Sequence, residues 1–174
     1  MRKKSKLENI FLYLSVISGA LWAGAYLLRL FIFYWLFEPE DFVLKSYINE
    51  STVSAVVYTL LPALTTTFVL YIIFILSFII FLLSTNLKLK DNGWLFISLL
   101  IIVITLPFEA YLMIIDYDII QMVLSNRYDG FGIIHLVVDR FRIFGNFSLI
   151  ELFSYFSIFY FILFKPFTKI KNEA

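Results

Sequence analysis

The chain has 174 residues, 61% hydrophobic and 20% aromatic, with a mean hydropathy of +0.90. A soluble domain of this size cannot bury that much apolar surface, so lipid must solvate a large part of it. A net charge of +1 argues against a nucleic-acid footprint, and a cysteine count of 0 excludes disulfides, thiolate metal sites and a catalytic thiol.

The first apolar run covers roughly residues 10–37, and Arg29 is its single charge between Glu8 and Glu38. A basic start followed by Ser18, Gly19 and Ala20 has the outline of a signal peptide. The run continues through Trp22 and Tyr26 to Phe37, however, which is the length of a membrane span. Ser15, Gly19 and Ala23 recur every four residues and predict a smooth groove for close helix contact. The loop that follows carries Glu38, Glu40, Asp41 and Glu50 beside Lys45, and reads as a solvated acidic segment.

The second span, roughly 58–84, lies in an uncharged stretch, 51–87. That stretch exceeds the ~20 residues a bilayer needs, so its first turns should project or tilt. Pro62 predicts a kink, with Thr65, Thr66 and Thr67 at hand for the carbonyls it frees. The third span, roughly 94–115, contains Pro107 and Glu109, and the fourth, roughly 143–164, contains Glu151. Between them, Ile133, Ile134, Val137, Val138 and Phe141 have helical spacing beside Asp139, Arg140 and Arg142, which predicts a short helix floating at the membrane surface. His135, the one imidazole, falls in this segment and reads as an ordinary amphipathic residue; with one histidine, a haem held by two histidines of this chain is excluded. Trp35 and Trp94 stand at span ends, while Trp22 lies deep enough to flank a flat ligand.

No run alternates like an outer-membrane barrel strand. The predicted fold is all-α: a single-domain polytopic membrane protein of four transmembrane helices in an antiparallel bundle. Lys and Arg counts set its orientation. Arg2, Lys3, Lys4 and Lys6 precede the first span, Lys88 and Lys90 lie in the second loop, and Lys165, Lys169 and Lys171 follow the fourth span. The first loop holds only Lys45, and the third mixes Arg127, Arg140 and Arg142 with Asp116, Asp118, Asp129 and Asp139. Both termini are predicted to be cytoplasmic.

Charges inside spans are costly and therefore face a partner, a cavity or a pathway. At ~1.5 Å per residue, Arg29, Glu109 and Glu151 lie about 8, 6 and 4 Å to the outer side of their span centres, in one layer. Phase supports inward facing. Ser15, Ser18, Trp22, Ala25 and Arg29 share one stripe, Ser98, Ile102, Thr105 and Glu109 another, and Ser148, Glu151 and Tyr155 a third. One cation with two carboxylates is unbalanced. Either one glutamate is protonated or a second cation, water or substrate completes the site. Purely structural locking by an Arg–Glu pair is the competing reading.

Several short stretches, in order along most of the chain, resemble the membrane protoporphyrinogen IX oxidase family of the HemJ type. Residues 26–34, with Tyr26, Leu27, Leu28, Arg29, Leu30 and Phe31, look like that family's first-helix signature, with Leu28 in place of its proline. Leu61, Pro62 and Ala63 look like the proline–alanine in its second helix, and Gly93, Trp94 and Leu95 like the glycine–tryptophan–leucine opening of its third. Arg142, Ile143, Phe144, Asn146 and the closing Lys165, Pro166 and Phe167 look like its last helix. The resemblance implies a four-helix bundle that holds a tetrapyrrole. The family's first-helix histidine falls near Leu14, its third-helix histidine and lysine become Phe96 and Ser98, and its last-helix glutamate and proline become Phe147 and Ser148. Arg29 and Asn146 survive from the polar set, so the resemblance implies a divergent relative without the family's catalytic groups, and Ser98 marks a place for a relocated polar site.

Three functions are open, the first implied by the HemJ-type resemblance and the other two by the buried charges. A bundle of this kind would hold a flat apolar ligand, such as a haem, another porphyrin or a quinone, with Arg29 on a ligand carboxylate or carbonyl. A small proton- or cation-coupled transporter or channel subunit would use Glu109 and Glu151 and would expect homo-oligomers, since four helices leave little room for a pore. A non-catalytic scaffold in a membrane complex would use the charges only to lock the bundle.

Overall fold

The computed structural model describes residues 6–38, 43–125, 129–144 and 147–169. Five α-helices account for most of these residues, and no strand occurs among them: α1 (Lys6–Trp35), α2 (Val53–Ser84), α3 (Gly93–Leu124), α4 (Gly130–Phe144) and α5 (Phe147–Phe164). Of these, α1, α2 and α3 are long and apolar enough to cross a membrane, and α5 is a shorter apolar helix. The segment read as one last span thus begins in α4 and continues in α5. Glu40 and Asp41 of the acidic loop, Arg127 and the candidate Asn146 lie outside the described residues.

Polar groups mark the helix ends. Ahead of α2, the Thr52 hydroxyl donates to the Tyr47 carbonyl at 2.7 Å and accepts the Asn49 N–H at 2.9 Å. Ahead of α4, the Asp129 carboxylate accepts the Phe131 N–H at 3.1 Å, the usual use of aspartate at a helix start. α1 and α2 pack antiparallel in one register, seen at three levels. Trp22 meets Tyr71 with ring centroids 5.2 Å apart, a Cβ on Gly19 would fall 2.9 Å from the Phe74 ring, and Thr85 donates to Glu8 at 3.0 Å. The groove predicted at Ser15, Gly19 and Ala23 therefore takes ring edges, from Phe74 of α2 and Phe159 of α5. The predicted service of Thr65 and Thr67 to Pro62 differs in detail. Their hydroxyls return to the carbonyls of Leu61, Pro62, Ala63 and Leu64, not to Tyr58, the acceptor Pro62 cannot serve.

α3 runs alongside α5, and the ends of this pair are tied. The Gly93 N–H donates to the Phe167 carbonyl at 3.0 Å, and the Lys169 N–H to the Asp91 carbonyl at 2.9 Å. Lys165 and Phe167 take left-handed backbone angles (φ 45° and 59°) that reverse the chain onto the start of α3. This return covers Trp94, which is 2% exposed, with the Lys165 ammonium 5.8 Å from its ring. Trp94 is therefore a core residue and not part of an interfacial belt, whereas Trp35 is exposed beneath Lys45, 4.2 Å from its ring.

α4 does not float. Ile133, Ile134, Val137 and Val138 are buried in the common core, and α4 packs on α2 and α3 at the end of the bundle where α1 finishes. His135 and Asp139 stay on its exposed side and, with Phe37, Leu44 and Arg142, border a cavity of about 170 Å³.

Candidate functional site

α3 runs nine residues beyond the predicted end at Ile115, and this extension places Asp116, 1% exposed, inside the bundle. Asp116 sits on the stripe that already carries Ser98, Ile102, Thr105 and Glu109, all buried. Arg29 Nη1 donates to Asp116 Oδ2 at 2.8 Å and to the Thr67 hydroxyl at 2.8 Å. Thr67 in turn lies 3.0 Å from the Ala63 carbonyl, so its proton goes back into α2. The expected partner of Arg29 was a glutamate. The observed one is Asp116, because the extra two turns of α3 bring a shorter carboxylate to the guanidinium.

The second cation is Arg140, 4% exposed, carried inward by α4. Its Nε donates to Asp116 Oδ1 at 2.9 Å and its Nη2 to Oδ2 at 3.2 Å, a fork on one carboxylate. Nη2 also stands 3.9 Å from Glu109 Oε1. Burial opposes the charge on Arg140, but Asp116 beside it more than compensates and holds its pKa above the ordinary arginine range. The Tyr26 ring lies within cation–π reach of both guanidiniums, 5.0 Å from Arg29 and 5.7 Å from Arg140.

Glu109 and Glu151, 2% and 0% exposed, lie side by side within hydrogen-bonding reach of each other. Neither oxygen of Glu151, nor Oε2 of Glu109, accepts an N–H or O–H from any other described residue. Two carboxyls bond to each other only through a proton held between them. The layer thus contains Arg29 from α1, Glu109 and Asp116 from α3, Arg140 from α4 and Glu151 from α5, with Thr67 from α2.

Next toward the α1 start lies an aromatic and hydroxyl layer. Trp22 packs against Tyr26, Tyr71 and Tyr155 with centroids 5.1, 5.2 and 4.8 Å away, so its neighbours are the protein's own rings. The Tyr155 hydroxyl lies 3.0 Å from that of Tyr71 and 2.9 Å from that of Thr105, joining α5 to α2 and α3. The Trp22 indole N–H, the Tyr26 hydroxyl and Arg29 Nε have no hydrogen-bond partner among the described residues. Ser98, the other candidate, is fully buried on the Glu109 stripe, and its hydroxyl donates to the Trp94 carbonyl at 2.8 Å.

Sequence reasoning missed Asp116 and Arg140. For Asp116 a signal existed: it continues the i, i+4, i+7 stripe of α3 past Glu109. For Arg140, heptad spacing from the buried Ile133 was the only hint, since its neighbours Asp139 and Arg142 are exposed. Comparison of the chain with family models, curated proteins and solved structures found no match.

Proposed function

We propose that this is an integral membrane protein that binds and releases a proton at the Glu109–Glu151 pair, as a small proton-coupled transporter or channel component. One observation carries the reading: two carboxyls from α3 and α5 meet in a fully buried layer where Glu151 has no other hydrogen-bond donor. Two guanidiniums balance two carboxylates, so a neutral layer of Arg29, Arg140, Asp116, Glu109 and Glu151 holds one proton. Asp116 is committed to both arginines, which leaves the glutamate pair as the seat of that proton. Proton relays are among the established roles of carboxyls that lie within membrane segments.

In this reading α1, α2, α3 and α5 all span the bilayer as an antiparallel bundle, with both termini cytoplasmic. The burial of Arg140 supports that orientation, because it takes one cation out of the charge count of the third loop. Homo-oligomers are expected, since one bundle has little space for a second transported species.

The test is infrared difference spectroscopy of the protein in lipid as pH is stepped. A protonated-carboxyl C=O band should titrate and disappear in Glu151→Gln, with Asp118→Asn, an exposed α3 position, unchanged. A spectrum without any titrating buried carboxyl overturns the reading.

The flat-ligand reading that accompanies the HemJ-type resemblance has one observation in its favour: Arg29 Nε is a buried donor without a partner among the described residues. Against it, Arg29 Nη1 is already taken by Asp116 and Thr67, the rings about Trp22 fill one another's faces, and the one histidine is exposed. These residues do not fit a tetrapyrrole as packed, and no oxidase chemistry is assigned. An extracted porphyrin or quinone, lost in Arg29→Leu, would restore this reading. Variants at Arg29 and Glu109 that only lower accumulation would point to a scaffold.

A further inference from the structure

We infer that the protein conducts protons, with Glu8 as the mouth of a path that leads to the Glu109–Glu151 pair. The inference rests on the proton-site reading above and extends it from a site to a route.

Glu8 is an acid near the start of α1, 7% exposed, and accepts a hydrogen bond from Thr85 at 3.0 Å, where α2 ends. It lies on the buried stripe of α1 that continues through Ser15, Ser18, Trp22 and Tyr26 to Arg29. From residue 8 to residue 29 is about 32 Å of helix, against roughly 30 Å of hydrocarbon. Arg29 lies inside the span, so this face of α1 carries polar groups from the start of the helix to the depth of the buried charged layer, and it is turned into the bundle.

The facing helices match it. α2 contributes Ser77 and Tyr71, α3 contributes Ser98 and Thr105, and α5 contributes Tyr155 and Glu151, all buried. Ser18, Ser77 and Ser98 each donate to a carbonyl of their own helix. A hydroxyl used in that way keeps its acceptor lone pairs for a water. Ser15 Oγ, the Trp22 indole N–H and the Tyr26 hydroxyl, buried on the same face, have no partner among the described residues. Ser15 Oγ and the Tyr26 hydroxyl, both without a partner among the described residues, mark the proton path between Glu8 and the Glu109–Glu151 pair. Around the inner pair, the charged and titratable groups are Tyr26 and Arg29 on α1, Tyr71 on α2, Asp116 on α3, Arg140 on α4 and Tyr155 on α5. At Glu8 the bonded polar neighbour is Thr85.

The test uses the full chain in vesicles of neutral phospholipid, with a trapped pH dye and a potassium potential set by valinomycin. Protein vesicles should change internal pH several-fold faster than empty vesicles. Glu8→Gln should cut the excess over the empty-vesicle rate at least five-fold, and Glu151→Gln should abolish that excess. Ser15→Ala is the decisive variant, because it removes a hydroxyl that bonds nothing in the fold and should leave folding intact while slowing the flux. A wild-type rate equal to that of empty vesicles, or full flux in either Glu8→Gln or Ser15→Ala, overturns the route. If the infrared carboxyl band still titrates in that case, the proton site stands and only the route falls; loss of the band as well removes both.

Discussion

Arg140 sits where a surface helix was expected to show a solvated cation, and the energetics of burial explain why it stays. A buried ion is stable only when its partner is close and well aimed. Arg140 meets that condition with a two-point fork on Asp116, which Arg29 shares from the other side. Removing one member strands the others. Arg140→Leu should therefore lower stability by about 3–5 kcal/mol, and adding Asp116→Asn to it should recover a good part of the loss, because the excess carboxylate goes with it. Denaturant unfolding in detergent measures both, and simple additivity of the two substitutions would contradict the shared network. The residue types of the layer were half legible from the chain. Arg29, Glu109 and Glu151 stand out because each interrupts an apolar run. Asp116 does not, because it is the first charge after such a run and so looks like the start of a loop; its burial depends on α3 continuing two more turns under α4.

At the scale of elements, the α1–α2 pair shows how period alone can locate an interface without naming the partner. The four-residue repeat of Ser15, Gly19 and Ala23 marks the contact face of α1. What fills the notch at Gly19 is the Phe74 ring, 1% exposed and hemmed by Tyr71 and Phe78 at centroid distances of 6.3 Å each. That ring has nowhere to retreat. Gly19→Val should thus cost about 1–3 kcal/mol by overpacking, whereas Gly24→Val, with nothing within 4 Å of its added Cβ, should be close to neutral. Thermal unfolding of the two variants separates them, and equal losses would show that the cost is one of helix propensity. The role of α4 was not readable at this scale. Its apolar stripe suits a lipid surface and a protein core equally well, and only the space left at the end of the bundle by α2 and α3 selects the core.

At the scale of the whole molecule, the bundle is closed at its two ends by different means. The α4 helix and its arginine cover one end, and the chain after α5 folds back on Gly93 at the other. If α5 spans as proposed, positions 6 and 165 lie on one side of the membrane and position 45 on the other. The native chain has no cysteine, so single cysteines placed at Lys6, Lys165 and Lys45 report this directly. An impermeant maleimide should label the first two from the same side and Lys45→Cys from the opposite one. Labelling of Lys6→Cys and Lys165→Cys from opposite sides would mean that α5 does not cross.

Composition and the spacing of charges sufficed for the class of this protein. A chain this apolar with runs this long must put helices in lipid, since only closed hydrogen bonding satisfies a backbone there. They also marked three of the ionisable residues of the buried layer, because a charge that interrupts an apolar helix is visible in one dimension. Which carboxylate each arginine meets was decided by the tertiary structure alone. Pairing depends on where helices end, how far they rotate and what a neighbouring element inserts between them. The sequence carries a period for each helix, but the register of one helix against the next arises only from packing, and that register brings Asp116 and Arg140 into the layer and leaves Glu151 facing Glu109.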